Sequence, residues 1–352
     1  MPSPPAPRLP RRRAVPAALA GAAALALVPA APAAAVGLAV NATAGTERML
    51  VSLSGGREQL VLSPELAPTG RGRAALLVPV PADATATPLP AARDALFGGL
   101  ERATSPLGRG GRTAAGPLPR AAVADYAVQT LPAGDAGALR RWLAGPGAGT
   151  PSSARALLRG YVRRGWGFVG IRLSAAASAP GRARALRPLR IAFAADRLVV
   201  PLRLGQSARQ PVSVELYVGG PHRVVARGFD TFHAGRVADL RPAPGAGSRA
   251  LIGGPFLTRL GLVGAEPATL TADVAVRRGV SDRLFRASAA YPYESEEGFA
   301  TAPTPAQQAE DAPLTDAPGG AAWLLLFPLV GVITAAVFAL ARLRGRRRAP
   351  RP

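Results

Sequence analysis

Residues 48–63 read RMLVSLSGGREQLVLS. Two runs with β-prone residues, Arg48–Ser54 and Arg57–Ser63, flank the pair Gly55-Gly56. Two residues between such runs is the spacing of a tight hairpin, and glycine supplies the positive φ its turn requires. The hairpin opens a chain that alternates strand-like and helix-like patterns. Ala74–Pro81, AALLVPVP, is apolar at nearly every position, the pattern of a strand covered on both faces and ended by proline. Further strands are predicted over Ala122–Leu131, Trp166–Leu173, Leu186–Phe193, Leu198–Leu204, Val212–Val218, Arg223–Arg227, Thr269–Val276 and Leu284–Ala289.

Helical spacing is sparser. Ala91–Arg102 places Leu96, Phe97 and Leu100 on one side. Asp135 is a side chain suited to cap a helix running to Leu143, with Leu139 and Leu143 four apart and Trp142 beside them. Ser152 or Ser153 can cap the next helix, through Arg163; Leu157, Leu158 and Tyr161 form its stripe. The expected fold is α+β, strand-dominated, with two or three helices. AALLVPVP near residue 77 and DRLVVPLRL near residue 200 are similar enough to suggest two related halves.

Outside this region the two ends set the expected topology. Arg8, Arg11, Arg12 and Arg13 precede an uncharged, Ala- and Leu-rich stretch from Ala14 to Val28. Ala33 and Ala35 then supply the small residues at −3 and −1 of a signal-peptidase site, so 1–35 reads as a signal peptide cleaved after Ala35. Residues 321–341, AAWLLLFPLVGVITAAVFALA, carry no charge and are long enough to form one transmembrane helix. Trp323 stands at its outer edge, and Arg342, Arg344, Arg346, Arg347, Arg348 and Arg351 follow it. Arginines so placed hold that end in the cytoplasm. The expectation is a single-pass cell-membrane protein with residues 36–299 outside, a Pro/Ala-rich acidic linker at 300–320 and a cytoplasmic tail at 342–352.

The 352 residues carry a formal charge of +22, and every one of the 43 basic residues is Arg. That one-sided usage fits a high-GC bacterial genome. Residues 36–293 hold 33 Arg against 15 acids, a net +18, whereas 294–320 hold six acids and no Arg. No Cys is present, which excludes disulfides, thiolate metal sites and Cys nucleophiles.

The order of several segments carries a resemblance. RMLVSLSGGREQLVLSPEL, AALLVPVPADATATPLP, DYAVQTLPAGDAGALRRWLAG, YVRRGWGFVGIRL, LRPLRIAFAADRLVVPLRL and VELYVGGPHRV together resemble the bacterial family named domain of unknown function 2330. The resemblance runs from about residue 37 to residue 290. It implies an exported, often membrane-tethered protein without an established activity. Members of that family commonly carry a Cys near the start of the mature chain. Here Val36-Gly37-Leu38-Ala39 stands in that place, so no lipid attachment through a Cys follows.

Candidate chemistry is limited. His222, Asp230 and His233 match no familiar metal-ligand spacing. No G-x-S-x-G elbow and no phosphate-loop motif occurs. Catalytic residues, metal ligands and cofactors are therefore not expected, and the alternative is an extracellular hydrolase using scattered carboxylates or His222. Arg163, Arg164, Arg277 and Arg278 are the candidate anion-binding residues, because guanidinium binds phosphate and carboxylate in bidentate fashion. The expected partners are the membrane, anionic envelope polymers or lipids, or a second protein, and not nucleic acid. Trp142, Trp166 and Phe168 are expected in the core.

Overall fold

Gly55 and Gly56 take positive φ, 56° and 69°, and Ser54 pairs with Arg57. The two-residue turn predicted for the hairpin is thus the one that forms. The computed structural model describes residues 36–295 apart from 71, 94, 106–125, 146–151, 181–182 and 289–291. The expected signal peptide with Ala33 and Ala35, the linker, the span with Trp323, and the tail with Arg342, Arg344 and Arg346 lie outside the described residues. Among the described residues no helix is long and apolar enough to cross a membrane.

In chain order the first strands are β1 (Leu38–Val40), β2 (Ala42–Ala44), β3 (Glu47–Ser54), β4 (Arg57–Ser63), β5 (Glu65–Pro68), β6 (Ala75–Val80) and β7 (Ala84–Pro88). Then come β8 (Tyr126–Leu131), β9 (Gly167–Leu173), β10 (Arg184–Ala185), β11 (Leu189–Ala194), β12 (Val199–Val200) and β13 (Val212–Gly220). The last are β14 (Val224–Ala226), β15 (Asp230–Arg236), β16 (Phe256–Ala265), β17 (Val274–Arg278) and β18 (Phe285–Arg286). The helices are α1 (Leu96–Thr104), α2 (Ala136–Ala144), α3 (Ser152–Arg163) and α4 (Ala246–Ile252).

An eight-stranded sheet has the order β18-β15-β16-β13-β3-β4-β11-β7, and a four-stranded sheet the order β1-β6-β9-β8. Two three-stranded sheets, β10-β5-β2 and β12-β17-β14, accompany them. The β13–β3 pairing is parallel, and the other pairings are antiparallel.

The period-two alternation of strands builds the layers. Met49, Val51, Leu60, Leu62, Leu216 and Val218 from the large sheet meet Leu76, Val78, Val169 and Ile171 from the four-stranded sheet in one core. The alternate residues Leu50, Val61 and Tyr217 pack under Phe97, Leu100, Leu251 and Ile252 of α1 and α4. On the far side of the four-stranded sheet, Ala75, Leu77 and Phe168 pack under Leu139, Trp142, Leu158 and Tyr161 of α2 and α3. The order is helix, sheet, sheet, helix, which requires the central strands to be apolar on both faces. This explains why β6 is buried at every position. Each such Leu or Val contributes about 1.5–3 kcal/mol by leaving water.

A buried ionic cluster ties the middle of the large sheet. Glu215 of β13 accepts from Arg48 Nε of β3 at 3.2 Å, from Arg259 Nη2 of β16, and from the Tyr217 hydroxyl at 2.8 Å. Two guanidiniums and a phenol satisfy one carboxylate, which is the condition for burying it at tolerable cost.

The strand-dominated α+β expectation holds for the described residues, with differences. Four helices form rather than two or three; the extra one is α4, whose Gly247 and flanking Gly/Pro residues mask it in the sequence. Leu198–Leu204 is strand only at Val199–Val200 and then turns into a 3-10 helix at Arg203–Ser207. The Arg203 N–H is taken by Asp273 Oδ1 at 3.1 Å instead of a neighbouring strand. The suggested two halves do not appear: AALLVPVP forms the six-residue β6, whereas its counterpart forms the two-residue β12 and that turn.

Candidate anion-binding site

Helix α2 begins where the Asp135 carboxylate accepts the Ala138 N–H at 2.8 Å, the cap read from the sequence. That bond and the nearby Arg141 and Arg140 keep Asp135 below its usual carboxylate range. Leu139 and Trp142, three residues apart, turn toward the four-stranded sheet. There they meet the face of β9 that carries Phe168, Gly170 and Arg172, while Val169, Ile171 and Leu173 point into the main core.

Arg172 is the one charged residue of β9, GFVGIRL. Its guanidinium carbon lies 4.7 Å from the Trp142 ring centroid, and its Nη2 donates to the Trp142 carbonyl near the end of α2. A cation suits the negative end of a helix. Arg172 has no carboxylate partner among the described residues. Burial, and then the charge of Arg73, hold its pKa below the usual Arg value. The Arg172 Nε and the Trp142 Nε1 are both buried without an acceptor.

These groups border a cleft of about 220 Å³ lined by Gln129, Ala138, Arg141, Trp142 and Arg172. At roughly 30 Å³ per water, that volume holds several waters or one small anion. No acidic side chain lines it. Two arginines, an indole and an amide form a donor-rich wall, the chemistry that accepts carboxylate or phosphate oxygens.

Residues 107–277 match the family model DUF2330, described as uncharacterized protein conserved in bacteria. This is the family that the sequence motifs resemble. The DUF2330 segment runs from before β8 into β17 and contains all five lining residues of the cleft. It leaves out β3, β4 and β6, without which neither large sheet is complete. No curated protein and no solved structure matches the chain.

The four arginines proposed from the sequence fall on two separate places. Arg163 is exposed at the end of α3. Arg164 donates to Asp273 Oδ2 at 3.1 Å and lies over the rings of Tyr161 and Trp166, at 4.5 and 5.0 Å. Asp273 also accepts from the Tyr161 hydroxyl and the Arg203 N–H, joining α3 to the start of β17. Burial first, and then Asp273, push the Tyr161 hydroxyl above its ordinary pKa. Arg277 and Arg278 lie farther along β17, opposite Val225 and Val224. From Asp273 to Arg278 an extended chain covers roughly 16 Å, so the four do not gather on one small ligand. Trp142 and Phe168 are buried as expected, and Trp166 is half-buried beside them.

The histidines do not converge either. His222 Nδ1 is 2.8 Å from Asp282 Oδ2, and Asp282 also accepts the Arg223 N–H at 2.9 Å. Those bonds hold Asp282 below its usual range. His233 is buried on β15, where burial first, then Arg286 and Arg259, lower its pKa to about 4. Among the described residues no group of three or more His, Asp or Glu could hold a metal ion.

Arg141 and Arg172 escaped the sequence reading. The available signal was a lone Arg inside an otherwise apolar strand, on the helix-covered side set by period two.

Proposed function

We propose that the chain is a single-pass cell-surface protein whose external domain binds an anionic group of the envelope and catalyses no reaction. The cleft of Arg141, Arg172, Trp142 and Gln129 carries this reading, because it offers donors with no acid among its lining residues. The leader, span and arginine tail read from the sequence support the orientation. A membrane-anchored protein with a +18 folded region meets carboxylate- and phosphate-bearing polymers or lipids at the same surface.

Calorimetry on the detergent-purified full chain, titrated with inorganic pyrophosphate, tests the site. Binding is expected to weaken as salt rises, and to fall about tenfold or more in Arg172→Gln, the cost of roughly 1.4 kcal/mol or more from one charged contact. Equal binding by the wild-type chain and Arg172→Gln would remove the cleft from consideration. A reporter fused after Pro352 tests the orientation separately and is expected to be active inside the cell.

A further inference from the structure

The first described residue is already in the core. Val36 is 0% exposed and belongs to the main apolar cluster between the sheets. Its backbone nitrogen lies 2.5 Å from Glu47 Oε2, and Glu47 is also 0% exposed. Gly37 follows in a place so tight that a methyl group on it would stand 2.8 Å from the Leu77 carbonyl oxygen. Leu38 then enters β1 against β6. The Val36 nitrogen is therefore fixed beside a buried carboxylate, at the bond that the sequence marks for signal-peptidase cleavage.

We propose that Glu47 is the receptor for the processed amino terminus: cleavage between Ala35 and Val36 creates an α-ammonium that forms a buried ion pair with the Glu47 carboxylate. The inference rests on the export reading above. In the cleavage, a signal peptidase adds one water across the Ala35–Val36 amide. The water oxygen goes to the Ala35 carbonyl carbon, which leaves as a carboxylate, and the Val36 nitrogen becomes an amine. Its α-amino pKa lies near 8, so it takes one further proton at neutral pH. Before cleavage the contact is a neutral N–H donating to a carboxylate. Afterwards it is an ammonium against a carboxylate, the stronger, charge-assisted form. Removing the Glu47 carboxylate takes the counter-charge away from an ammonium held in the core. Processing and the stability of the exported domain are thereby linked through one carboxylate.

The absence of Lys makes the test direct, because the α-amine is the chain's one primary amine. The full chain is purified from membranes of expressing cells, its N-terminal residue is read by mass spectrometry, and it is treated with an amine-reactive acetyl ester. Val36 is the expected first residue. Its native acylation is expected to run at least ~10-fold slower than in denaturant, the factor that about 1.4 kcal/mol of terminal burial supplies. Glu47→Gln is expected to lower the melting temperature and speed native acylation. A first residue other than Val36 overturns the processing step.

A second preparation separates the pairing from export. A full chain starting at Val36, released from a purification tag by a protease cutting just before it, is acylated in the same way. Slow acylation there supports the Val36–Glu47 pair even if the cellular orientation fails. Acylation as fast native as denatured overturns the pair even if export holds. If Glu47→Gln does not fold, Glu47→Asp serves: a carboxylate withdrawn by one methylene should give intermediate acylation, and a wild-type rate overturns the pairing.

Discussion

The Trp142 indole rests on the bare backbone of Gly170: a methyl group on that glycine would stand 2.3 Å from Trp142 Cε2. Helix α2 therefore approaches β9 as closely as a missing side chain allows, and the same approach sets Trp142 against Arg172. Gly170→Ala is expected to push the helix outward and cost about 1–3 kcal/mol, the usual range for overpacking. Thermal unfolding measures this. Trp142→Leu in the same chain should recover part of the loss, because the two residues share one space.

Glu58 is a carboxyl buried at the edge of the hairpin, with the Val199 N–H at 3.2 Å from its Oε2. Burial pushes its pKa up to about 8, against the small opposing effect of that bond. The folded chain keeps a proton there that the unfolded chain releases above about pH 4.5. Stability therefore falls as pH rises from about 4.5 to about 8, by at most about 1.4 kcal/mol per pH unit, and levels off above that. Chemical denaturation of Glu58→Gln across this range is expected to lack that component. An unchanged slope would show that another group is responsible.

His233 works with the opposite sign. Its pKa is lowered to about 4, so the unfolded chain takes up a proton below about pH 6.5 that the folded chain refuses. Stability is expected to fall as pH drops from about 6.5 to about 4. His233→Asn removes this fall. Between about 4.5 and 6.5 the effects of Glu58 and His233 oppose, so the double variant should show a visibly different profile only outside that window.

Asp273 gathers Arg164, the Tyr161 hydroxyl and the Arg203 N–H. Asp273→Ala leaves the last two without their acceptor, and a loss of about 2 kcal/mol or more is expected from hydrogen bonds to a charged group. Tyr161→Phe should cost less, because Asp273 keeps two of its three donors. Equal losses in the two variants would place the whole effect in the Tyr161–Asp273 hydrogen bond and none in Arg164 or the Arg203 N–H.

The elements with clean local signals were legible in the sequence: the Gly55-Gly56 hairpin, the doubly apolar β6, the Asp135-capped α2 and the stripe of α3. β15 and β16 were not. Their interior carries Thr231, His233, Thr258 and Arg259, polar residues buried by partners far along the chain. Arg259 is tolerable there because Glu215 faces it, and nothing local announces that pairing. The cleft was hidden for the same reason. Arg172 and Trp142 lie on different elements and meet through packing, whereas the doublets Arg163-Arg164 and Arg277-Arg278 stood out only by adjacency.

The parallel contact of β3 with β13 carries a consequence for how the polypeptide is made. Arg48 and Glu215 are 167 positions apart, and the strands bearing them are neighbours in the middle of the broadest sheet. An emerging chain can close the early hairpin at once. It cannot zip the centre until β13 has followed, so the first half must wait with its apolar ribbons bare. Closure of that central seam is thus a late event, set by the arrival of one distant strand.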